Sequence, residues 1–271
     1  MEDLMACLDK EIARIKRLKL PGEDDALNVL TWLRLDLKGA KVPPEIYEQL
    51  VFYRKCLFSE YYHVSMDDVD RWRHMSPESR RTVWPEAHAD GYVFRTLFDY
   101  NSYRDCFFIY AMLARDTDFS ALHVLDFGCL SADYGYFFGL LGSYVTLCDF
   151  KPWADFAAYR LRRSGLPCDV VYAPSVYHEI TGGQDMICFG EVLEHLKDPF
   201  LMLQCCVQHA VPVLYTSCYP YGDDAYFMRP GHTVEARQQA PACLDLLRTH
   251  FEEIAFVRHR RLWINKNAID L

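Results

Sequence analysis

LHVLDFGCLSADYGYFFGLLGSYVTLCDF, residues 122–150, is the stretch whose reading decides the fold. It reads as strand, glycine turn, helix and strand, with an acidic residue ending each strand. Asp126 closes the apolar run HVLD, Gly128 opens a tight turn, and Asp149 closes the run YVTLCD. A parallel strand feeding a glycine turn and a helix presents backbone N–H groups at the strand's carboxyl end, where nucleotides bind. A carboxylate at the tip of the next strand is placed to accept hydrogen bonds from both hydroxyls of a ribose. By itself this pattern describes a site for any nucleotide-like ligand.

Working outward, the chain alternates. Strands are predicted near 122–127, 144–150, 169–173, 184–190 and 211–217, with helices between them. That order implies a parallel sheet with helices on both faces. The tail FEEIAFVRHRRLWINKN reads as two strands with little between them, a closing hairpin. Upstream the pattern is helical and lacks strand alternation. Leu4, Leu8, Ile12, Ile15 and Leu18 make one stripe, stopped by Pro21-Gly22; Val29, Leu30, Leu33 and Leu37 make a second. A third helix carries Ile46, Leu50, Tyr53 and Leu57, and Ser65 with Asp68 looks like a cap. Ser76-Pro77 has the form of another helix start, and Asn101 precedes the apolar helix YRDCFFIYAMLA. The expected organisation is a helical N-terminal region, 1–115, followed by a core, 116–271.

With 271 residues, 51 % hydrophobic and 15 % aromatic, the chain is expected to bury a substantial core. A formal net charge of −9 argues against nonspecific binding to nucleic acid or an anionic membrane. Arg160, Arg162 and Arg163 cluster on one predicted helix and read as a solvated face. The N-terminal MEDLMACLDKEI lacks the order of a secretory signal, and the longest uncharged apolar run, 134–148, is interrupted by glycines. Eleven cysteines, an odd number with no C-x-x-C pair, fit a reduced cytoplasm. Vicinal Cys205 and Cys206 on a predicted helix read as core packing.

The segment QDMICFGEVLEHLKDPFLML, 184–203, narrows the ligand. Its D-x-I-x-x-x-E-V-L-E-H-L-x-D-P string resembles the fourth motif of class I S-adenosylmethionine-dependent methyltransferases, and the resemblance runs from roughly residue 103 onward. It implies an α/β fold with a seven-stranded, mostly parallel sheet, helices on both faces and an N-terminal helical cap. It also implies S-adenosylmethionine as cofactor. The family's first motif, D-x-G-x-G-x-G, appears here as Asp126-Phe127-Gly128-Cys129-Leu130-Ser131-Ala132, keeping only the first glycine. By this resemblance Asp126, Gly128, Cys129 and Leu130 line the cofactor, Asp149 holds its ribose, and Phe150 with Trp153 flanks the adenine. Pro174 and Ser175 lie where the adenine edge is contacted, and Glu191 borders the methyl donor. Tyr103 and Arg104, on the helix entering the sheet, correspond to residues that reach the methionine carboxylate. For Arg104, a surface ion pair with Asp105 or Asp99 is the alternative.

Glu191, Glu194 and His195 form an E-x-x-E-H cluster whose spacing puts the side chains on one helical face. Such a set can bind a divalent cation, with His232 as a further ligand. The arrangement resembles the ubiquinone-biosynthesis O-methyltransferases and the small-RNA 3′-end 2′-O-methyltransferases. The same string also occurs in metal-free relatives, where His195 is the general base and Glu191 borders the cofactor. The aromatic N-terminal region, including Tyr47, Tyr53, Trp72, Trp84 and Tyr92, suits a substrate cavity wall. Tyr219 and Tyr221, after the fifth strand, are second candidates for substrate contact. The implied activity is transfer of a methyl group to a hydroxyl, or otherwise an amine, on a small molecule, in the cytoplasm. The rival readings are an RNA-modifying methyltransferase and a non-catalytic methyltransferase-like binding protein.

Overall fold

The computed structural model describes residues 2–72, 75–76, 101–173, 182–220, 232–257 and 259–268. Among the described residues the first elements are five helices, α1 (Glu2–Leu18), α2 (Glu23–Leu37), α3 (Pro44–Tyr62), α4 (Met66–Trp72) and α5 (Asn101–Leu113). Strands and helices then alternate: β1 (His123–Phe127), α6 (Asp133–Leu140), β2 (Tyr144–Asp149), α7 (Lys151–Arg163) and β3 (Cys168–Tyr172). The chain continues through β4 (Met186–Phe189), α8 (Pro199–Gln208), β5 (Val213–Ser217), α9 (Val234–His250), β6 (Phe251–Val257) and β7 (Arg260–Asn265). Pro44 sits in the first turn of α3, where its missing N–H costs nothing. Ser65 caps α4 as its spacing predicts, its hydroxyl accepting from Asp68 N–H at 3.1 Å. The helix start read at Ser76-Pro77 runs outside the described residues, as do Trp84 and Tyr92.

One seven-stranded sheet results, in the order β3-β2-β1-β4-β5-β7-β6. Strands β1 to β5 are parallel neighbours, and the β6–β7 hairpin closes the sheet with β7 antiparallel to β5. Strand order reverses between β1 and β4, which opens a crevice beyond their carboxyl ends, the place where open α/β sheets bind ligands.

Parallel strands covered on both faces bury alternate residues in two different cores. Val124, Val145, Leu147 and Met186 point into one cluster with Leu8, Leu30, Trp32 and Phe107 from α1, α2 and α5. Leu125, Cys148, Ile187 and Leu214 point into the other, with Met202 and Leu247 from α8 and α9. The N-terminal helices are therefore one covering layer of the sheet. A third cluster joins α3 and α4 to α7 through Leu57, Phe58, Val69, Trp153 and Phe156, and Leu130 packs against it.

The arginines of α7 depart from expectation. Arg162 and Arg163 are exposed, but Arg160 is 1 % exposed. The reason is helical phase, since residue 160 continues the buried stripe of Trp153, Phe156 and Ala157. None of the eleven cysteines forms a disulfide, and Cys205 and Cys206 are both buried as expected of packing residues. No described helix is long and apolar enough to cross a membrane.

Candidate active site

The β1–α6 turn is shaped from within. Gly128 has φ +73°, and a Cβ there would come within 2.5 Å of the Val192 side chain, so only glycine lets the turn approach the segment after β4. Leu130 and Ala132 also have positive φ, 45° and 58°, so the backbone keeps a left-handed shape at two positions where glycine is missing. The Gly128 and Cys129 N–H groups both donate to the Cys148 carbonyl, at 2.8 and 3.1 Å. The Leu130 N–H donates to Asp149 Oδ2 at 2.8 Å. These three donors are thus spent on the neighbouring strand rather than offered to an anion. Asp126, 1 % exposed, accepts from the Gly135 N–H at 2.8 Å, tying β1 to α6. Burial pushes its carboxyl well above the usual range, and the nearby acids Asp133 and Asp149 add to the rise. Asp126 and Cys129, both expected to line a cofactor, are buried parts of the turn's frame.

Asp149 ends β2 at 8 % exposure. Its second oxygen accepts from the Phe150 N–H at 2.7 Å. Burial raises its pKa to about 6, with the Leu130 and Phe150 N–H bonds pulling the other way. Each carboxylate oxygen retains a second lone pair for a ligand hydroxyl. Phe150 is 61 % exposed beside it, an open apolar ring at the strand tip, whereas Trp153 is buried in the third cluster. Pro174 and Ser175 lie outside the described residues.

Tyr103 is fully buried, and its hydroxyl accepts from Arg160 Nη2 at 2.6 Å, so it has no surface to give a ligand. Arg104 is exposed. Its expected partner Asp105 pairs instead with Arg260, the first residue of β7, and accepts from the Tyr134 hydroxyl at 2.8 Å. Arg260, itself half-buried, lies opposite Ser217 at the carboxyl end of β5, so this trio stands at the rim of the crevice. Nothing in the sequence signals it, because Asp105 and Arg260 are 155 positions apart. Tyr134 also fills the space over Gly190, where a Cβ would meet the Tyr134 ring and hydroxyl at 2.5 Å. Gly190→Ala is therefore expected to cost about 1–3 kcal/mol by overpacking against an anchored ring. Urea unfolding checks this, and an unchanged midpoint would mean that the ring yields freely.

The E-x-x-E-H segment is not a helix. Residue 191 is left-handed, φ 52°, and only a single 3-10 turn, Leu193–His195, follows. The common helical face expected of Glu191, Glu194 and His195 does not form. Glu191 is exposed, with Cys218 Sγ at 3.8 Å from its Oε1. Glu194, His195 and His232 do converge, each offering one ligand atom within 4.8 Å of the others. Thr233 makes this juxtaposition. Its N–H donates to the Glu194 carbonyl at 2.9 Å, and its hydroxyl donates to the Leu196 carbonyl at 2.7 Å while accepting from Ala236 N–H to cap α9. Glu194 is 1 % exposed, and the two imidazoles meet edge to face at 5.0 Å. Two imidazoles and one carboxylate suit a first-row divalent metal. Tyr219, expected at the mouth, is instead fully buried, its hydroxyl donating to the Ala236 carbonyl at 3.0 Å. Tyr221 lies outside the described residues.

No protein-family model and no curated protein matches the chain. Among solved structures it is similar to a magnesium protoporphyrin IX methyltransferase from Synechocystis with S-adenosylhomocysteine bound, at 15 % identity and TM-score 0.47, over 69 % of this chain and 98 % of that one. It is similar to a mitomycin 7-O-methyltransferase at 15 % identity and TM-score 0.46, over 80 % and 67 %. It is also similar to an N-methyltransferase from Bradyrhizobium japonicum at 20 % identity and TM-score 0.44, over 60 % and 86 %. The seven-stranded, mostly parallel sheet with helices on both faces and a closing antiparallel hairpin is the architecture expected from the sequence.

Proposed function

We propose that the protein is an S-adenosylmethionine-dependent methyltransferase acting on a hydroxyl, or otherwise an amine, of a small molecule. The observation that carries this reading is the β1–α6 turn, whose N–H groups at 128–130 are spent on Cys148 and Asp149. A dinucleotide site needs such donors for its pyrophosphate. A nucleoside without phosphate needs only the strand-tip carboxylate and an apolar ring, which Asp149 and Phe150 supply. When bound, S-adenosylmethionine supplies an electrophilic methyl on a sulfonium. The protein's part is to align the acceptor in line with that bond and to remove its proton.

In the metal-free alternative His195, an imidazole in the turn beyond the carboxyl end of β4, is our candidate for the base that takes that proton. Glu194, His195 and His232 would together hold a divalent cation, whose chemistry there is to lower the pKa of a hydroxyl brought against it. Net acidity favours a small molecule over RNA as acceptor. The left-handed backbone kept at Leu130 and Ala132 favours a working cofactor turn over an eroded one.

Two measurements test the reading. Calorimetry with S-adenosylhomocysteine should give a saturable heat, and its absence would defeat the cofactor assignment. Titration with Zn²⁺ or Mn²⁺, followed by metal analysis after gel filtration, should show one ion per chain in the wild type and none in Glu194→Ala or His232→Ala. If no ion binds, His195→Ala should instead slow turnover by roughly 10²–10⁴, the contribution of a positioned base.

A further inference from the structure

Leu130 and Ala132 are held in a conformation that disfavours any residue with a side chain. Something must hold them there. Ala132 is fully buried in the main core, and Leu130 packs against the cluster formed by α3, α4 and α7. Asp133 follows immediately at 4 % exposure. Its Oδ1 accepts from Arg54 Nη2 at 2.5 Å and from Arg160 Nη1 at 2.8 Å. The same Arg160 nitrogen donates to the Ser131 carbonyl, so Ala132 is gripped on both sides.

Both guanidinium groups are 1 % exposed. Arg54 lies over the Tyr103 ring and Arg160 over the Tyr136 ring, at 5.1 and 4.5 Å. Burial pulls the pKa of Arg160 down, but Tyr103, Asp133 and Asp25 raise it by more, so it stays charged. Buried ion pairs are an inefficient source of stability, since well-packed apolar side chains do as well or better. A geometric task explains this one.

We infer that Arg54, Arg160 and Asp133 are positioning residues for the cofactor turn, holding at Leu130 and Ala132 the left-handed backbone that glycine would adopt unaided and so keeping the Leu130 N–H on Asp149. This rests on reading the turn as the nucleoside site. It makes α3, outside the sheet, part of the cofactor site through Arg54.

The test compares full-length Arg54→Met, Ala132→Gly and the double variant. A turn that keeps its competent shape only a tenth of the time binds about tenfold more weakly. Arg54→Met is expected to weaken S-adenosylhomocysteine binding by about that factor or more. It should also speed hydrogen exchange at the Leu130 amide while leaving the β4 and β5 amides unchanged. Adding Ala132→Gly should restore most of the affinity, because glycine occupies the left-handed region without a clamp. Ala132→Gly alone should change little.

The inference is overturned if Arg54→Met lowers stability but leaves affinity and Leu130 exchange as they were, or if glycine restores nothing. Should Arg54→Met fail to fold, Tyr103→Phe removes the hydroxyl that holds Arg160 and must shift Leu130 exchange in the same direction. If the wild type binds no S-adenosylhomocysteine, the cofactor reading fails. The exchange comparison then decides the clamp alone, and equal exchange in the variants would overturn it.

Discussion

Asp149→Ala is expected to weaken S-adenosylhomocysteine binding by about 2–4 kcal/mol, roughly 30- to 1000-fold. The loss is two charge-assisted hydrogen bonds at about 1.5–3 kcal/mol each, reduced by water taking their place. The carboxylate must be ionised to accept both hydroxyls, and burial raises its pKa to about 6. Wild-type affinity should therefore rise as pH increases through 6, and the alanine variant should lose that dependence. Stability runs the other way. The folded pKa lies above the unfolded value of about 3.9, so the native state binds more protons between the two, and this group's contribution falls as pH rises across that window. Calorimetry at pH 5 and 8 separates the two signs. Equal affinity in wild type and variant would remove Asp149 from the site.

The sheet was legible because its determinants are local. Apolar runs end in acids or glycines at β1, β2 and β4, and the hairpin strands adjoin in sequence, so alternation places five strands and the tail supplies the other two. Asp149 was legible for the same reason, as a carboxylate at a strand end. His232 was legible as a further candidate ligand because it follows the fifth strand, near the rim that carries Glu194 and His195, although the Thr233 bonds that bring it there could not be foreseen.

Features fixed by backbone conformation or by distant partners were hidden. Leu130 and Ala132 look like an eroded glycine motif, yet the chain retains the glycine-like backbone and maintains it with contacts from α3 and α7. Arg160 was lost among its exposed neighbours because three consecutive-looking basic residues conceal helical phase. Glu191 was assigned to a shared helical face on spacing alone, but its left-handed backbone breaks that face. Tyr103, expected to reach the cofactor's methionine carboxylate, and Tyr219, expected at the mouth, are core residues because each hydroxyl finds a buried partner.

A chain beginning after residue 95 is expected to be insoluble, or soluble without S-adenosylhomocysteine binding. The N-terminal helices are not a separate module resting on a finished core. Leu8, Ile15, Val29, Leu30, Trp32 and Leu33 are essentially fully buried and share one cluster with Phe107, Phe137 and Val145. Trp32 makes edge contacts with Tyr103 and Phe107 at 5.8 and 5.3 Å. Fully burying each such side chain stabilises by about 1.5–3 kcal/mol, so losing half a dozen, about 9–18 kcal/mol, rivals the roughly 5–15 kcal/mol that holds a typical domain folded. Truncation also removes Arg54 and Asp25 from around Asp133 and Arg160, leaving the β1–α6 turn without half of these buried charges. Expression of the truncated chain, with solubility and proton chemical-shift dispersion as readouts, tests this. A soluble, well-dispersed truncation that binds S-adenosylhomocysteine as tightly as the full chain would show that the sheet folds and forms its cofactor turn without them.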